Sequence, residues 1–293
     1  MKASKYKFKH LVLVLFTISF LWACSSDDDS NNLPTNPLEA LNLFDVSYGS
    51  HPSQIYDIYL PSNRSSSTKV FVLVHGGSWV AGDKNDLNFL VAELQNEYPD
   101  YAIVNINYRL ASIGLSPFPM QINDIEAIIN DLKLKQGEYF ISNDFGFIGL
   151  SAGAHLSMLY SYASDDNDEV DMVASIVGPT NFTDTNYVDN PEYADYVLAV
   201  QLITGVPFAT NPEYYENVSP YHVVTSNAPP SILFYGGQDE LVPTSQGVDM
   251  AAKLDALNVI NEFTLYPNEG HGWEGANLED TFMKLENFIN LHF

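Results

Sequence analysis

Hydrophobic and polar residues follow one another along the chain in a pattern that predicts strands and helices in turn. The runs "KVFVLVHGG" (69–77) and "YAIVNINYR" (101–109) are almost continuously apolar, as in strands buried on both faces. Segments such as "MQINDIEAIINDLKLK" (120–135) place apolar residues at helical spacing. The full pattern predicts strands over 54–60, 69–77, 101–109, 145–150, 172–178, 231–237 and 262–268, and helices over 86–98, 120–135, 152–163, 245–258 and 278–293. This order predicts an α/β fold whose central sheet is mostly parallel, with helices on both faces and antiparallel strands at one edge.

One long segment, residues 180–222, interrupts the alternation of strands and helices. It is rich in tyrosine, asparagine and acidic residues. A loop of this length in a compact domain is usually functional. We therefore predict a small cap over the functional site, with a short helix near 191–204. A solvated surface excursion is the alternative.

The first 23 residues differ in character from the rest of the chain. A basic start with four lysines precedes the apolar run "LVLVLFTISFL", which is too short to span a bilayer comfortably. This pattern predicts a secretory signal peptide over 1–23. The following residue is the only cysteine, Cys24, and "LWAC" resembles the box of bacterial lipoproteins, whose cysteine is acylated. The alternative is a plain signal peptide followed by an unrelated cysteine.

The lipoprotein resemblance implies where the protein acts. Several acyl chains on Cys24 would hold it firmly at a membrane surface. The expectation is an exported lipoprotein associated with the outer membrane, facing either the periplasm or the cell surface. The polar, acidic, proline-bearing stretch that follows predicts a flexible tether over 24–44, ahead of a single large domain over 45–293.

Composition and charge restrict the classes of partner. The chain of 293 residues is 46% hydrophobic, enough for a sizeable core, and one cysteine cannot form an internal disulfide. Loss of residues 1–23 would leave 8 basic and 37 acidic side chains, a formal charge of −29. Such a surface repels nucleic acid, so we predict no nucleic-acid partner. It favours neutral or cationic substrates.

The stretch "GLSAGAH" (149–155) carries the strongest chemical signal. Ser151 stands between a predicted buried strand and a predicted helix, with Gly149 and Gly153 two positions away on either side. A sharp turn at such a seam lifts the serine above the sheet edge and requires small neighbours. This is the nucleophile elbow, G-x-S-x-G. The pattern alone is weak, and its place between strand and helix strengthens it.

A serine hydroxyl keeps its proton at neutral pH and needs a base, which is usually a histidine oriented by an acid. Where the elbow occurs, the acid and then the histidine follow the serine along the chain. His271 fits, because it lies in the glycine-lined loop "NEGHGWEG" after the last strand. His155, one helical turn after Ser151, does not fit this order, and we interpret His75 as structural.

The acid is predicted in the loop after the preceding strand, within "SILFYGGQDELVP". Asp239 is favoured because it stands directly after the strand, at the edge where ligand sites lie in such sheets. Its neighbour Glu240 is the main competitor.

Attack on an ester carbonyl also needs preorganised N–H donors for the oxyanion. The amide of Ala152, directly after the serine, is one candidate, and the loop "HGGSW" supplies Gly76 and Gly77. Trp79 and Trp273 are candidates for lining a substrate pocket, with ordinary packing an equal alternative for each.

From about residue 69 onwards the chain resembles the α/β-hydrolase superfamily. It is most similar to the carboxylesterase branch related to hormone-sensitive lipase and to microbial carbohydrate esterases of the acetyl-xylan and feruloyl type. The motifs in family order are "HGGSW", "GDK", "NYRL", "FPMQINDI", "GLSAGAHL", "SPYHVV", "PPSILFYGGQDELVP" and "YPNEGHG". The resemblance implies a triad of Ser151, Asp239 and His271. The family's third loop glycine is Ser78 here, a common glycine after the elbow is Ala154, and "ASIGLSP" replaces the usual acidic extension after "NYRL".

These residues predict a serine esterase that hydrolyses short acyl or aryl esters through an acyl-enzyme, on substrates such as acylated carbohydrates. We expect no metal or cofactor, because the histidine, the acid and the amide dipoles supply the catalysis. One alternative is a serine peptidase of the same fold. Another is a non-catalytic glycan-binding lipoprotein on a hydrolase scaffold.

Overall fold

A computed structural model describes residues 38–165 and 167–293. They contain an eight-stranded sheet in the spatial order β1-β2-β4-β3-β5-β6-β7-β8. In chain order the strands are β1 (Leu41–Ser47), β2 (Ile55–Leu60), β3 (Val70–Val74), β4 (Ala102–Ile106), β5 (Phe145–Leu150), β6 (Val170–Ile176), β7 (Ser231–Gly236) and β8 (Asn261–Tyr266). β1 pairs with β2, and β2 with β4, in antiparallel fashion, while β4, β3 and β5 to β8 are parallel to one another. The predicted mostly parallel sheet with an antiparallel edge is confirmed.

Helices cover both faces of this sheet. In chain order they are α1 (Asn88–Glu97), α2 (Met120–Leu134), α3 (Gln136–Tyr139), α4 (Ala152–Ala163), α5 (Thr185–Val188), α6 (Ala194–Thr204), α7 (Pro212–Asn217), α8 (Pro220–Val223), α9 (Thr244–Ala256) and α10 (Ala276–His292). α1 and α10 pack on one face, and α2, α4 and α9 on the other. Every residue of β3 and β4 is buried, because helices cover both faces of these central strands.

The cap segment, residues 180–222, contains the predicted short helix as a 3₁₀ turn (Pro191–Tyr193) that leads into α6. It also contains α5, α7 and the first three residues of α8, helices that the sequence pattern does not predict. Phe182, Tyr187 and Tyr215 in this segment are at most 1% exposed. These aromatic side chains pack the segment against the domain, and its role as a cap over the site stays a prediction.

The start of the folded region differs from the predicted boundary at residue 45. β1 begins at Leu41, inside the predicted tether over 24–44. The predicted signal peptide over 1–23 and the lipidation site Cys24 lie outside the described residues and stay predictions. Within the two described ranges, no helix combines the length and the hydrophobicity that a membrane-spanning segment requires.

Candidate active site

The carboxyl ends of the parallel strands bring the predicted site residues to one edge of the sheet. The "HGGSW" loop follows β3, Ser151 follows β5, and the cap segment follows β6. Asp239 follows β7 and His271 follows β8. Because β5 to β8 are consecutive neighbours in the sheet, residues far apart in sequence meet above this edge, where open α/β sheets bind ligands.

The backbone at Ser151 forms a sharp turn between β5 and α4. Its φ and ψ are 55° and −120°, a strained conformation for a residue with a side chain. Its N–H donates to the Ile176 carbonyl of β6 at 2.8 Å, which fixes the turn. An added Cβ on Gly153 would lie 2.1 Å from the Val74 carbonyl oxygen, and one on Gly149 would lie 2.5 Å from Ala154 Cα. Both glycines are therefore required by close backbone packing at the elbow.

Ser151, His271 and Asp239 form one hydrogen-bonded chain. The Ser151 Oγ lies 2.8 Å from His271 Nε2, and His271 Nδ1 lies 2.7 Å from Asp239 Oδ2. The other carboxylate oxygen, Asp239 Oδ1, accepts the N–H groups of Leu241 and Val242 at 2.8 and 2.9 Å. Asp239 is buried whereas the competing Glu240 is exposed. The geometry lets the imidazole accept the serine proton while the carboxylate holds its orientation.

The "HGGSW" loop lies against Ser151. An added Cβ on Gly76 would lie 3.1 Å from Ser151 Cβ and 2.9 Å from the Leu150 carbonyl oxygen. Gly77 has a φ of +112°, a conformation that favours glycine. Ala152 is the first residue of α4, where backbone N–H groups have no intrahelical acceptor. The structure thus places Gly76 against the serine and Ala152 directly after it in the chain. The role of Gly76, Gly77 and Ala152 as oxyanion donors stays a prediction.

His75 has the structural role that the sequence analysis assigned to it. Its Nδ1–H donates to the Gly76 carbonyl at 2.7 Å, and its ring stacks on Tyr108 with centroids 4.3 Å apart. The Tyr108 hydroxyl donates to the His75 carbonyl at 2.7 Å. Burial lowers the pKa of His75, so the ring stays neutral near pH 7. These contacts fix the first residue of the "HGGSW" loop in place.

Of the two alternatives for Trp79, the structure shows packing. The side chain is 1% exposed and lies within an aromatic cluster beneath the cap segment. The members in ring contact with it are Phe118, His155, Phe182 and Tyr196. The prediction that Trp79 lines a substrate pocket is therefore corrected, because the ring turns into the protein interior.

An apolar pocket of about 300 Å³ lies beside His271. Its walls come from the start of α1, the ends of β5 and β6, the loop that leads into α10 and the first two turns of α10. Trp273 lines it together with Leu87, Phe89, Leu90, Ile148, Gly149, Leu150, Ile176, Gly272, Glu274, Leu278, Thr281 and Phe282. The Trp273 Nε1–H donates to Thr281 Oγ1 at 2.8 Å, which fixes the indole. Substrate binding by Trp273 stays a prediction; the structure shows that this residue and His271 line the same pocket.

Contacts from the cap segment to the acid loop are a feature that the sequence analysis missed. The Tyr187 hydroxyl donates to the Leu241 carbonyl at 2.9 Å, and the Tyr193 hydroxyl donates to the Asp239 carbonyl at 3.1 Å. The cap segment therefore supports the loop that carries the acid. Only its richness in tyrosine hinted at such contacts, because partners this distant in sequence leave no local pattern.

A mostly parallel sheet with an elbow serine after β5, an acid after β7 and a histidine after β8 defines this protein as an α/β-hydrolase. More narrowly, the chain belongs to the BD-FAE family, whose model matches residues 56–254.

Known esterases are similar to this chain. Esterase LipC of Mycobacterium tuberculosis is 26% identical over 264 residues, which cover 84% of this chain and 64% of LipC. Isoprenylcysteine alpha-carbonyl methylesterase ICME of Arabidopsis thaliana is 25% identical, over 77% of this chain and 55% of its own length. The chain thus spans less than two thirds of the length of these relatives.

Solved structures show the same fold. A bifunctional GH43-CE protein of Bacteroides eggerthii superposes with a TM-score of 0.70 at 25% identity, over 84% of this chain and 38% of its own. A bacterial heroin esterase superposes with a TM-score of 0.70 at 21% identity, over 88% of this chain and 86% of its own.

Proposed function

We propose that this protein is a serine carboxylic-ester hydrolase acting on short acyl or aryl esters of carbohydrates. The observation that carries the proposal is the continuous hydrogen-bonded chain from Ser151 Oγ through His271 to Asp239. The esterase names of the sequence relatives support ester hydrolysis. A solved structure described as a truncated carbohydrate esterase from gut microbiota supports a carbohydrate substrate.

The proposed reaction runs in two halves. In the first, His271 Nε2 takes the Ser151 hydroxyl proton while Oγ attacks the ester carbonyl, and the amides of Gly76, Gly77 and Ala152 stabilise the oxyanion. The protonated imidazole then gives its proton to the leaving alcohol, and an acyl-enzyme remains on Oγ. In the second half, His271 takes a proton from water, the hydroxide attacks the acyl carbonyl, and the proton returns to Ser151 as the acid departs.

The apolar pocket adjoins His271 and has the volume for an acyl group larger than an acetyl. It is lined mostly by aliphatic and aromatic side chains, which favours an apolar or aryl portion of the substrate. Export and anchoring through Cys24 remain part of the proposal and rest on the sequence alone.

Ser151→Ala tests the proposal. The variant should hydrolyse 4-nitrophenyl acetate and an acetylated xylo-oligosaccharide at least 10³-fold more slowly than the wild type, with an unchanged melting temperature. A wild-type protein that cleaves neither ester, or a variant that retains wild-type turnover, contradicts the proposal. Cleavage of a peptide anilide at a rate well above that of the esters would instead support the peptidase alternative.

A further inference from the structure

The loop that approaches the serine is strained in two consecutive residues. Ser78 and Trp79 have φ values of 50° and 64°, in the left-handed region that residues with side chains avoid. For a bulky aromatic residue such a conformation is a true outlier. It persists only where the surroundings over-determine it. Contacts that restrain Trp79 therefore also restrain the backbone of Gly76 and Gly77, which precede it in the same loop.

Contacts to the Trp79 backbone provide part of this restraint. Its carbonyl accepts the side-chain amide of Gln121 at 2.8 Å and the N–H of Ala111 at 2.8 Å. The same Gln121 amide donates to the Arg109 carbonyl at 2.8 Å. The Arg109 guanidinium in turn pairs with the buried Asp124 carboxylate at 2.6 Å. These bonds fix the end of the loop from the side of α2.

The Trp79 side chain is held by His155. The Trp79 Nε1–H donates to His155 Nδ1 at 3.3 Å, and the opposite ring nitrogen, Nε2, lies 2.8 Å from the Val218 carbonyl of the cap segment. Because a carbonyl can only accept, Nε2 carries the proton and Nδ1 is free to accept from the indole. His155 is fully buried, and burial lowers its pKa to about 4, which keeps this neutral form at neutral pH.

His155 is also tied to the nucleophile. Its backbone N–H donates to the Ser151 carbonyl at 3.0 Å, one helical turn away in α4. His155 thus contacts the backbone of Ser151, the indole of Trp79 and the cap segment. The rings of Phe118 and Phe182 pack on it with centroids 5.2 and 5.1 Å away, which shields both ring-nitrogen hydrogen bonds from water.

We propose that Trp79 and His155 are positioning residues. They clamp the "HGGSW" loop (75–79), here called the oxyanion loop, in its strained, catalytically competent geometry and couple it to the cap segment. This rests on the proposed serine chemistry at Ser151. The clamp contacts no substrate. Its contribution is the preorganisation of the oxyanion donors, whose misplacement by about 1 Å can cost on the order of 10²-fold in rate.

Two substitutions isolate the clamp. Trp79→Phe keeps a buried ring and removes the indole N–H, and His155→Phe keeps ring packing and removes both ring-nitrogen hydrogen bonds. Tyr162→Phe is the matched control, because Tyr162 lies in the same helix and its hydroxyl makes a buried hydrogen bond of 2.7 Å to Ser231. All three variants remove buried polar contacts, but only the first two touch the loop.

The readout is the second-order rate of Ser151 phosphonylation by a fluorophosphonate, which needs the nucleophile and the oxyanion donors but no particular ester. We expect Trp79→Phe and His155→Phe each to lower this rate about tenfold to hundredfold. With 4-nitrophenyl acetate the loss should fall on kcat, with KM changing less than twofold. The double variant should lose no more than the worse single variant, because both remove the same interaction.

Rescue provides a further test. His155→Asn places an amide oxygen near the position of Nδ1, so it should recover part of the rate lost in His155→Phe. If His155→Phe does not fold, the smaller change in Trp79→Phe decides. Trp79→Phe with the wild-type rate, losses no larger than in Tyr162→Phe, or strictly additive losses would overturn the clamp. A wild-type protein that does not react with the probe would instead overturn the proposed function.

Discussion

Asp239 uses its two carboxylate oxygens for different tasks. Oδ2 accepts from His271, whereas Oδ1 is held by the amides of Leu241 and Val242. A carboxylate can only accept, so this arrangement forces His271 Nδ1 to carry its proton and leaves Nε2 free to accept from the Ser151 hydroxyl. The backbone donors around Oδ1 therefore help to fix the tautomer of the His271 imidazole, although they do not contact it.

Asp239→Asn should disrupt this arrangement. Asparagine has only one acceptor oxygen for these two sets of donors. When that oxygen accepts from Leu241 and Val242, the NH₂ group faces His271 Nδ1 and favours the wrong tautomer, so kcat should fall about 10³- to 10⁴-fold with little change in melting temperature. The matched control is Glu240→Gln, which removes the neighbouring exposed carboxylate. Hydrolysis of 4-nitrophenyl acetate measures both variants. A loss in Glu240→Gln equal to that in Asp239→Asn would contradict the assignment.

At the scale of secondary-structure elements, the elbow between β5 and α4 depends on how closely two backbones approach. Gly153, the second residue of α4, lies directly against the end of β3, and an added Cβ would meet the carbonyl oxygens of Val74 and His75 at 2.1 and 2.4 Å. Backbone atoms at the centre of a sheet cannot move aside as a flexible side chain can. The position is therefore fixed by the packing of α4 on β3.

Gly153→Ala should lower the free energy of unfolding by about 2 kcal/mol or more, because it overpacks the elbow. Gly137→Ala is the control, since an added Cβ in α3 meets nothing within 4 Å. That change should be neutral or stabilise the protein by up to about 1 kcal/mol. Urea unfolding measures both. Equal stability in the two variants would show that the predicted clash does not occur.

The elements that the sequence pattern predicted are those with a strong period or a continuous apolar run, such as α2 and β3. β1 was not predicted, because a bulge between Leu43 and Val46, with Asp45 at a φ of 52°, breaks the two-residue alternation. α5, α7 and α8 are only four to six residues long and are stabilised by tertiary packing. Such short helices show no period that a sequence could reveal.

At the scale of the whole molecule, the site exists because of the sheet order. Ser151 and His271 are 120 residues apart, and Asp239 and His271 are 32 apart, yet the neighbouring strands β5 to β8 end beside one another. The chain order of the triad could be predicted because it follows from this topology. The contacts of His155 could not, because its partners Trp79 and Val218 are 76 and 63 residues away and only folding brings them together.

The formal charge of −25 is a property of the whole molecule and has little electrostatic effect on the site. Charges on a solvated surface are largely screened beyond about 8 Å at physiological salt. The site works instead through short, partly buried contacts such as the 2.7 Å bond between His271 and the buried Asp239 carboxylate. The proposed catalysis at Ser151 therefore depends on local geometry.

The most direct measurement of that geometry is the site and rate of covalent labelling by a fluorophosphonate, followed by peptide mapping with mass spectrometry. The account predicts one adduct, on Ser151, and at least a 10³-fold slower reaction in His271→Ala. An adduct on a different residue, or labelling of His271→Ala at the wild-type rate, would contradict it.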